Sequence, residues 1–290
     1  ASSIVGGTGT IAITNTGTIT GATFGLTLGG AQGGSIASII GTTSGGLTKE
    51  GAGTWMLLGA NTYTGTTLVS EGTLALGASN VIANASALTI NGGTFALDTF
   101  SDTVAAVTIG SNGGAITSST GILYGASYTF NNSGANTATV SAILGSSASL
   151  TQAGTGVTTL SGANTYTGAT TISAGTLIVS NPTGLGGLTN GTTVASGAKL
   201  DFQGVAIGGE LITMNGGTLS TSSGVSSLSG NVVLAASGNA FLVDGTSLTL
   251  SGIVSGNYGF SKTGSGTLIL RGANTFGYTP SLVGNVIDIS

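Results

Sequence analysis

One segment occurs three times in this chain, and its recurrence constrains the fold more than any other feature. The first copy runs Gly46-Leu47-Thr48-Lys49-Glu50-Gly51-Ala52-Gly53-Thr54-Trp55-Met56-Leu57, continues Gly59-Ala60-Asn61-Thr62-Tyr63-Thr64-Gly65, and closes on Glu71-Gly72-Thr73-Leu74. The second keeps Leu150-Thr151-Gln152-Ala153-Gly154-Thr155-Gly156, then Gly162-Ala163-Asn164-Thr165-Tyr166-Thr167-Gly168 and Ala174-Gly175-Thr176-Leu177. The third runs Phe260-Ser261-Lys262-Thr263-Gly264-Ser265-Gly266-Thr267-Leu268, with Gly272-Ala273-Asn274-Thr275-Phe276 behind it. The Gly-Ala-Asn-Thr-aromatic elements start at 59, 162 and 272, a long period of 103 to 110 residues. Weaker units of roughly 20 residues lie inside it, and periods of that size mark stacked repeats.

The short units read as strands. Thr10-Ile11-Ala12-Ile13-Thr14, Ser86-Ala87-Leu88-Thr89-Ile90 and Ser247-Leu248-Thr249-Leu250 alternate polar and apolar residues, as half-buried strands do. Asn91-Gly92-Gly93 and Asn215-Gly216-Gly217 supply residues that tolerate the left-handed backbone of tight turns. No segment sustains a 3.6-residue apolar period. The chain is therefore expected to be all-β, a right-handed parallel β-solenoid. Strands stack about 4.7–4.9 Å apart, so roughly 20 residues per rung give about 14 rungs and a rod about 65–70 Å long. Residues 1–290 form one continuous solenoid in this reading: N-terminal rungs at 1–45, long repeats at 46–147 and 148–258, and a partial third with a C-terminal strand at 259–290. Val, Ile and Leu fill the interior. Thr and Ser cover the outer faces, where they can form hydroxyl ladders.

Composition removes whole classes of chemistry. The chain has no His and no Cys, so zinc sites of the usual kind, Ser-His-Asp or Cys-His catalysis and disulfides are all excluded. Only 4 basic residues stand against 8 acidic ones, too few to neutralise a phosphate backbone, and nucleic acid is not an expected partner. Hydrophobic residues still make up 40% of the chain, which sets it apart from a disordered Gly/Ser linker. No apolar run is long enough for a transmembrane helix. Scarce Lys and absent Cys suit a secreted bacterial surface protein. The N-terminus lacks a signal-peptide pattern, and Ala1 suits a mature end left by signal cleavage.

The three copies resemble the passenger-associated transport repeat, also called the autotransporter-associated β-strand repeat. Its pattern is Leu-Thr-Lys-x-Gly-x-Gly-Thr-Leu-x-Leu-x-Gly-x-Asn-Thr-Tyr, followed by x-Gly-x-Thr-x-(Val/Ile)-x-x-Gly-Thr-Leu. Residues 47–74 follow it almost throughout; Gln152 replaces the Lys in the second copy, and Phe276-Gly277-Tyr278-Thr279-Pro280 departs from it in the third. The resemblance implies a secreted β-helical passenger and no particular activity. The family's C-terminal membrane β-barrel is not found in the sequence, which leaves a fragment of a larger protein or a complete subunit as alternatives.

Candidate sites are few. The acids are Glu50, Glu71, Asp98, Asp102, Asp201, Glu210, Asp244 and Asp288, and they read as solvated corner residues. Asp98 and Asp102 form the closest pair, the sole candidate for a paired-carboxylate hydrolase, a site that would also need basic or aromatic sugar-binding groups nearby. Calcium at Asp98, Asp102 or Asp244 is disfavoured by the absence of the Gly-Gly-x-Gly-x-Asp repeat. No catalytic, cofactor or metal residue is assigned. Lys49, Lys262 and Arg271 read as surface positions, while Trp55, Tyr63, Tyr166, Phe260 and Phe276 read as rung packing. At the ends, Ile4, Val5, Ile11 and Ile13, with Leu282, Val283, Val286, Ile287 and Ile289, form strand-like runs without a polar cap. Open edges invite pairing, so the expected partner is a second copy, head to tail through terminal strands, in a surface filament or sheath. Other cell-surface components are a further possible partner. The alternative reading is an autotransporter-type passenger acting as a surface adhesin or rigid spacer.

Overall fold

The computed structural model describes residues 2–277, 281–282 and 287–289, in which parallel strands are the regular structure. The chain divides into two compact units, Ala1–Asn132 with Asn136–Ser146, and Ser133–Ala135 with Ser147–Ser290. Among the described residues no helix is long and apolar enough to cross a membrane.

The strands are short because three to five residues suffice for an inward–outward–inward pattern before a glycine corner turns the chain. In the first unit seven strands of one parallel sheet stack in chain order, from Ser2–Gly6 and Leu26–Gly30 through Leu47–Lys49 and Thr67–Val69 to Ser127–Phe130. Seven strands of a second sheet interleave with them, from Ile11–Ile13 to Thr137–Val140. A discontinuous third face is made of Thr18–Thr20 with Ile39–Gly41, and of Asp102–Thr103, Ile122–Tyr124 and Ile143–Gly145. The second unit repeats the plan, with seven strands in each of the two long sheets. Its third face carries Ala206–Ile207, Val225–Leu228, Ser247–Leu250, Thr267–Leu270 and Ile287–Ile289. Within each unit the strands of a sheet pair in parallel with those a coil later. This is the parallel β-solenoid expected from the repeat.

Register converts the sequence alternation into a packed interior. Trp55, Leu74, Phe95, Ile116 and Val140 are successive partners in the second sheet, and each is fully buried. The alternate positions face outward and are half-buried, as at Thr27, Thr48, Thr89, Thr108 and Thr129 in the first sheet. A hydroxyl contact between coils does occur, but inside the molecule, where Thr67 Oγ1 and Ser86 Oγ lie 2.9 Å apart. Trp55 is the largest buried side chain, and its Nε1–H donates to the Gly29 carbonyl at 2.9 Å. Trp55→Ala is expected to destabilise the first unit by about 3–5 kcal/mol through the cavity it opens. Trp55→Phe, which keeps most of the buried area, costs visibly less; urea unfolding followed by circular dichroism reads both.

The third copy of the repeat sits in a different phase. In the second unit, Leu150–Gln152 lies in the first sheet and Val157–Leu160 in the second. The equivalent strands Phe260–Thr263 and Thr267–Leu270 lie in the second sheet and the third face. The interval from 162 to 272 exceeds that from 59 to 162 by seven residues, about a third of a coil of roughly 20 residues. The motif therefore encodes a strand–corner–strand unit and not a particular face.

Candidate functional site

The polar residues of the repeat gather at its corners. Lys49 ends the strand Leu47–Lys49 pointing inward, is fully buried, and folds its ammonium back onto the following turn. Nζ donates to the carbonyls of Glu50 at 2.9 Å, Gly51 at 2.5 Å and Glu71 at 3.0 Å. Burial lowers the pKa of this ammonium, while the charges of Glu71 and Glu50 oppose the shift. Gly51 and Gly72 take φ of 68° and 60°, and a Cβ on Gly72 would stand 2.3 Å from the Gly51 oxygen and 2.7 Å from Nζ. Glycine is required there both by the left-handed backbone and by the closeness of the caged ammonium.

The other copies vary this corner. Lys262, also fully buried, donates to the carbonyls of Gly264 at 2.7 Å and Gly266 at 2.5 Å. Its pKa is lowered by burial against the charge of Asp244. In the middle copy Gln152 Nε2 donates to Gly154 at 2.8 Å, and Gln152 Oε1 is buried without a partner. Where Lys49 has Glu50 and Glu71 beside it, Gln152 has Ala153 and Ala174 in the corresponding places. In the third copy Thr263 takes the place of Glu50, and the carboxylate near Lys262 is Asp244 from the preceding coil. Lys49 and Lys262 were expected at the surface; they are interior because the corner's own carbonyls need donors, and a long flexible ammonium reaches several of them. Arg271 is exposed, as expected.

The Asn and Tyr of the repeat clamp neighbouring coils. Asn61 Oδ1 accepts the Ile40 N–H at 2.8 Å and its Nδ2 donates to the Val81 carbonyl at 2.6 Å, which joins the coil before to the coil after. Asn164 Nδ2 donates to Gly184 at 2.7 Å, and Asn274 Oδ1 accepts the Val254 N–H at 2.8 Å. Tyr63 and Tyr166 lie within 2.7 Å of Thr67 Oγ1 and Thr170 Oγ1. Trp55, Tyr63, Tyr166 and Phe260 are buried, and Phe260 packs edge to face with Phe241 and Phe276 at 4.7 and 5.3 Å.

Three acids expected in solvent are buried instead. Asp102 Oδ2 accepts the N–H groups of Val81 and Ile82 at 2.9 and 3.0 Å, while Oδ1 has no partner. Glu210 accepts from Thr192 Oγ1 at 2.7 Å and leaves Oε2 without a partner. Asp201 is held by Ser220 and Ser222 at 2.7 and 2.6 Å. Backbone or hydroxyl donors reach each of these carboxylates, which makes burial tolerable. Glu50, Glu71, Asp98, Asp244 and Asp288 are exposed. Asp98 and Asp102 do not converge: Asp98 is exposed at the end of Thr94–Asp98 and meets Ser119, whereas Asp102 turns inward. Among the described residues no three His, Cys, Asp or Glu side chains come together as a metal site.

Of the residues expected to meet a second copy, Ile4 and Val5 lie in Ser2–Gly6 and Ile11 and Ile13 in Ile11–Ile13, with Val5 56% exposed. Leu282 falls in the strand Ser281–Leu282, and Ile287 and Ile289 in Ile287–Ile289. Val283 and Val286 lie outside the described residues.

Residues 47–76, 150–179 and 260–279 match the passenger-associated transport repeat. The chain carries three of these repeats. It is also similar to the adhesin BmaC autotransporter of Brucella suis biovar 1 (strain 1330), with 33% identity over 315 aligned residues. That alignment takes in 94% of this chain and 8% of the relative, so the chain spans a small part of the protein it resembles. No solved structure matches the chain. The transport repeat's marked residues thus have a physical meaning here: Lys or Gln supplies donors to a corner, Asn ties adjacent coils, and Tyr anchors the following strand.

Proposed function

We propose that this chain is a stretch of an autotransporter passenger that works as a rigid β-solenoid spacer at the bacterial surface, presenting an adhesive region away from the membrane. The observation that carries the reading is the destination of the repeat's polar groups: Lys49, Lys262, Asn61 and Tyr63 all bind the chain's own coils. A residue set spent on internal bonding suits a scaffold better than a ligand site or an enzyme. The similarity to an adhesin autotransporter supplies the cellular setting. A display experiment tests it. The chain is placed between an outer-membrane anchor and an epitope on encapsulated cells, and antibody access is compared after residues 46–147 are removed or duplicated. Access that falls on removal and rises on duplication supports the spacer; access indifferent to both overturns it.

A second reading is end-to-end association of copies into a filament. It draws on the outermost strand Ser2–Gly6, whose Val5 is 56% exposed. Negative-stain electron microscopy at high concentration tests it, with fibres expected and single particles opposed to it.

A further inference from the structure

The chain contains four Asn-Gly pairs, at 91–92, 112–113, 190–191 and 215–216. Asn-Gly is the dipeptide most prone to cyclise, because no side chain hinders attack by the glycine nitrogen on the asparagine carboxamide. That attack needs the glycine N–H to be free of an acceptor. Three of the four are engaged. Gly92 N–H donates to the Gly113 carbonyl at 2.8 Å, Gly113 N–H to Gly110 at 3.0 Å, and Gly216 N–H to Asn239 Oδ1 at 2.9 Å.

Gly191 differs. Its carbonyl accepts from Thr170 at 3.1 Å, but among the described residues its N–H finds no acceptor. Asn190 before it is exposed and lies in the loop between Thr176–Val179 and Thr192–Ala195. Gly191 holds φ at 69°, and its backbone passes beside Leu211. Asn190 Nδ2 donates to the Thr167 carbonyl at 2.6 Å, a bond that ties the loop to the turn after Tyr166.

We infer that Asn190 is a spontaneous modification site, converting to aspartate and isoaspartate in the folded protein while the other three pairs are protected. The Gly191 nitrogen attacks Asn190 Cγ and a C–N bond forms. The Cγ–Nδ2 bond breaks, and ammonia leaves with the proton given up by the Gly191 nitrogen. Water then adds to either carbonyl of the succinimide ring, and ring opening gives the two acids. The product carries one more negative charge, taking the chain from −4 to −5. A carboxylate at 190 cannot donate to Thr167, so the tie between the loop and that turn is lost. The isoaspartate form also lengthens the backbone just before Thr192, whose hydroxyl partners the buried Glu210.

Peptide mapping by mass spectrometry tests this on the full chain. Folded protein is held at 37 °C and mildly alkaline pH until a urea-unfolded sample has largely converted at all four pairs. In the folded sample Asn190 is expected to convert, with an acidic variant appearing on ion exchange. Asn91, Asn112 and Asn215 should react at least about tenfold more slowly, since local opening must first free their glycine N–H groups. Asn190 unchanged over that period, or converting no faster than the other three, overturns the inference.

Discussion

Replacing Asp102 with Asn should stabilise the first unit above pH 7 and leave it nearly unchanged at pH 4. Burial pushes the Asp102 carboxyl from its ordinary 3.8 up to about 6, against the N–H groups of Ile82, Val81 and Thr103, which favour the charge. An acid whose pKa is higher folded than unfolded binds its proton more tightly in the folded chain. Stability is therefore greatest below the unfolded value and is lost as pH rises through about 6. The span from 3.8 to about 6 corresponds to about 3 kcal/mol. The charged group that would have to be accommodated is isolated: the titratable side chain interacting with it is the buried Tyr63, whose own pKa burial raises. Asn keeps an oxygen for Val81 and Ile82 and removes the charge, so a gain of roughly 1–3 kcal/mol at pH 8 is expected. Glu210 acts with the same sign in the second unit, since burial raises its pKa and Thr192 alone offsets this. Urea unfolding between pH 4 and pH 8 reads the effect. The wild-type midpoint falls as pH rises, and the slope flattens in Asp102→Asn and Glu210→Gln. A wild-type midpoint that climbs over this range contradicts the assignment.

Lys49→Met should cost about 2–4 kcal/mol, because three carbonyls lose their donor in an interior that water does not reach. Lys49→Gln, the residue that the middle copy uses, should cost less, about 1–2 kcal/mol. The reverse exchange is more informative. Gln152→Lys alone should destabilise the second unit, because Ala153 and Ala174 leave the ammonium without the carboxylates that Glu50 and Glu71 supply. Adding Ala153→Glu and Ala174→Glu should recover much of the loss. Thermal unfolding of the four variants decides it, and a single Gln152→Lys more stable than wild type would show that the carboxylates are irrelevant.

The architecture was legible in the sequence because alternation and recurrence are properties of the whole pattern. Strands such as Leu88–Ile90 and Ser247–Leu250 fall where polar and apolar residues alternate, and the weaker units of roughly 20 residues inside the long repeat carry the stacking period. The displacement of the third copy was also present, as seven surplus residues in the second interval, but it acquires meaning only when coil length and face are known together. Burial of individual polar residues was not legible. Lys49 sits in a polar stretch and looks solvated; what reverses this is a corner rich in unpaired carbonyls, which is a property of the backbone. The one available sign was the joint replacement of Lys49, Glu50 and Glu71 by Gln152, Ala153 and Ala174. Asp102 and Asp201 likewise differ from exposed Asp98 only in the donors that folding brings to them.

Adhesion by bacteria that display this chain alone tests the scaffold reading most directly. The account predicts no gain in attachment to host cells or matrix over the anchor by itself. It also predicts that attachment through an adhesive domain fused beyond the chain falls when Trp55→Ala weakens the coils. Saturable attachment conferred by the chain alone, and blocked by the purified chain in solution, would contradict it.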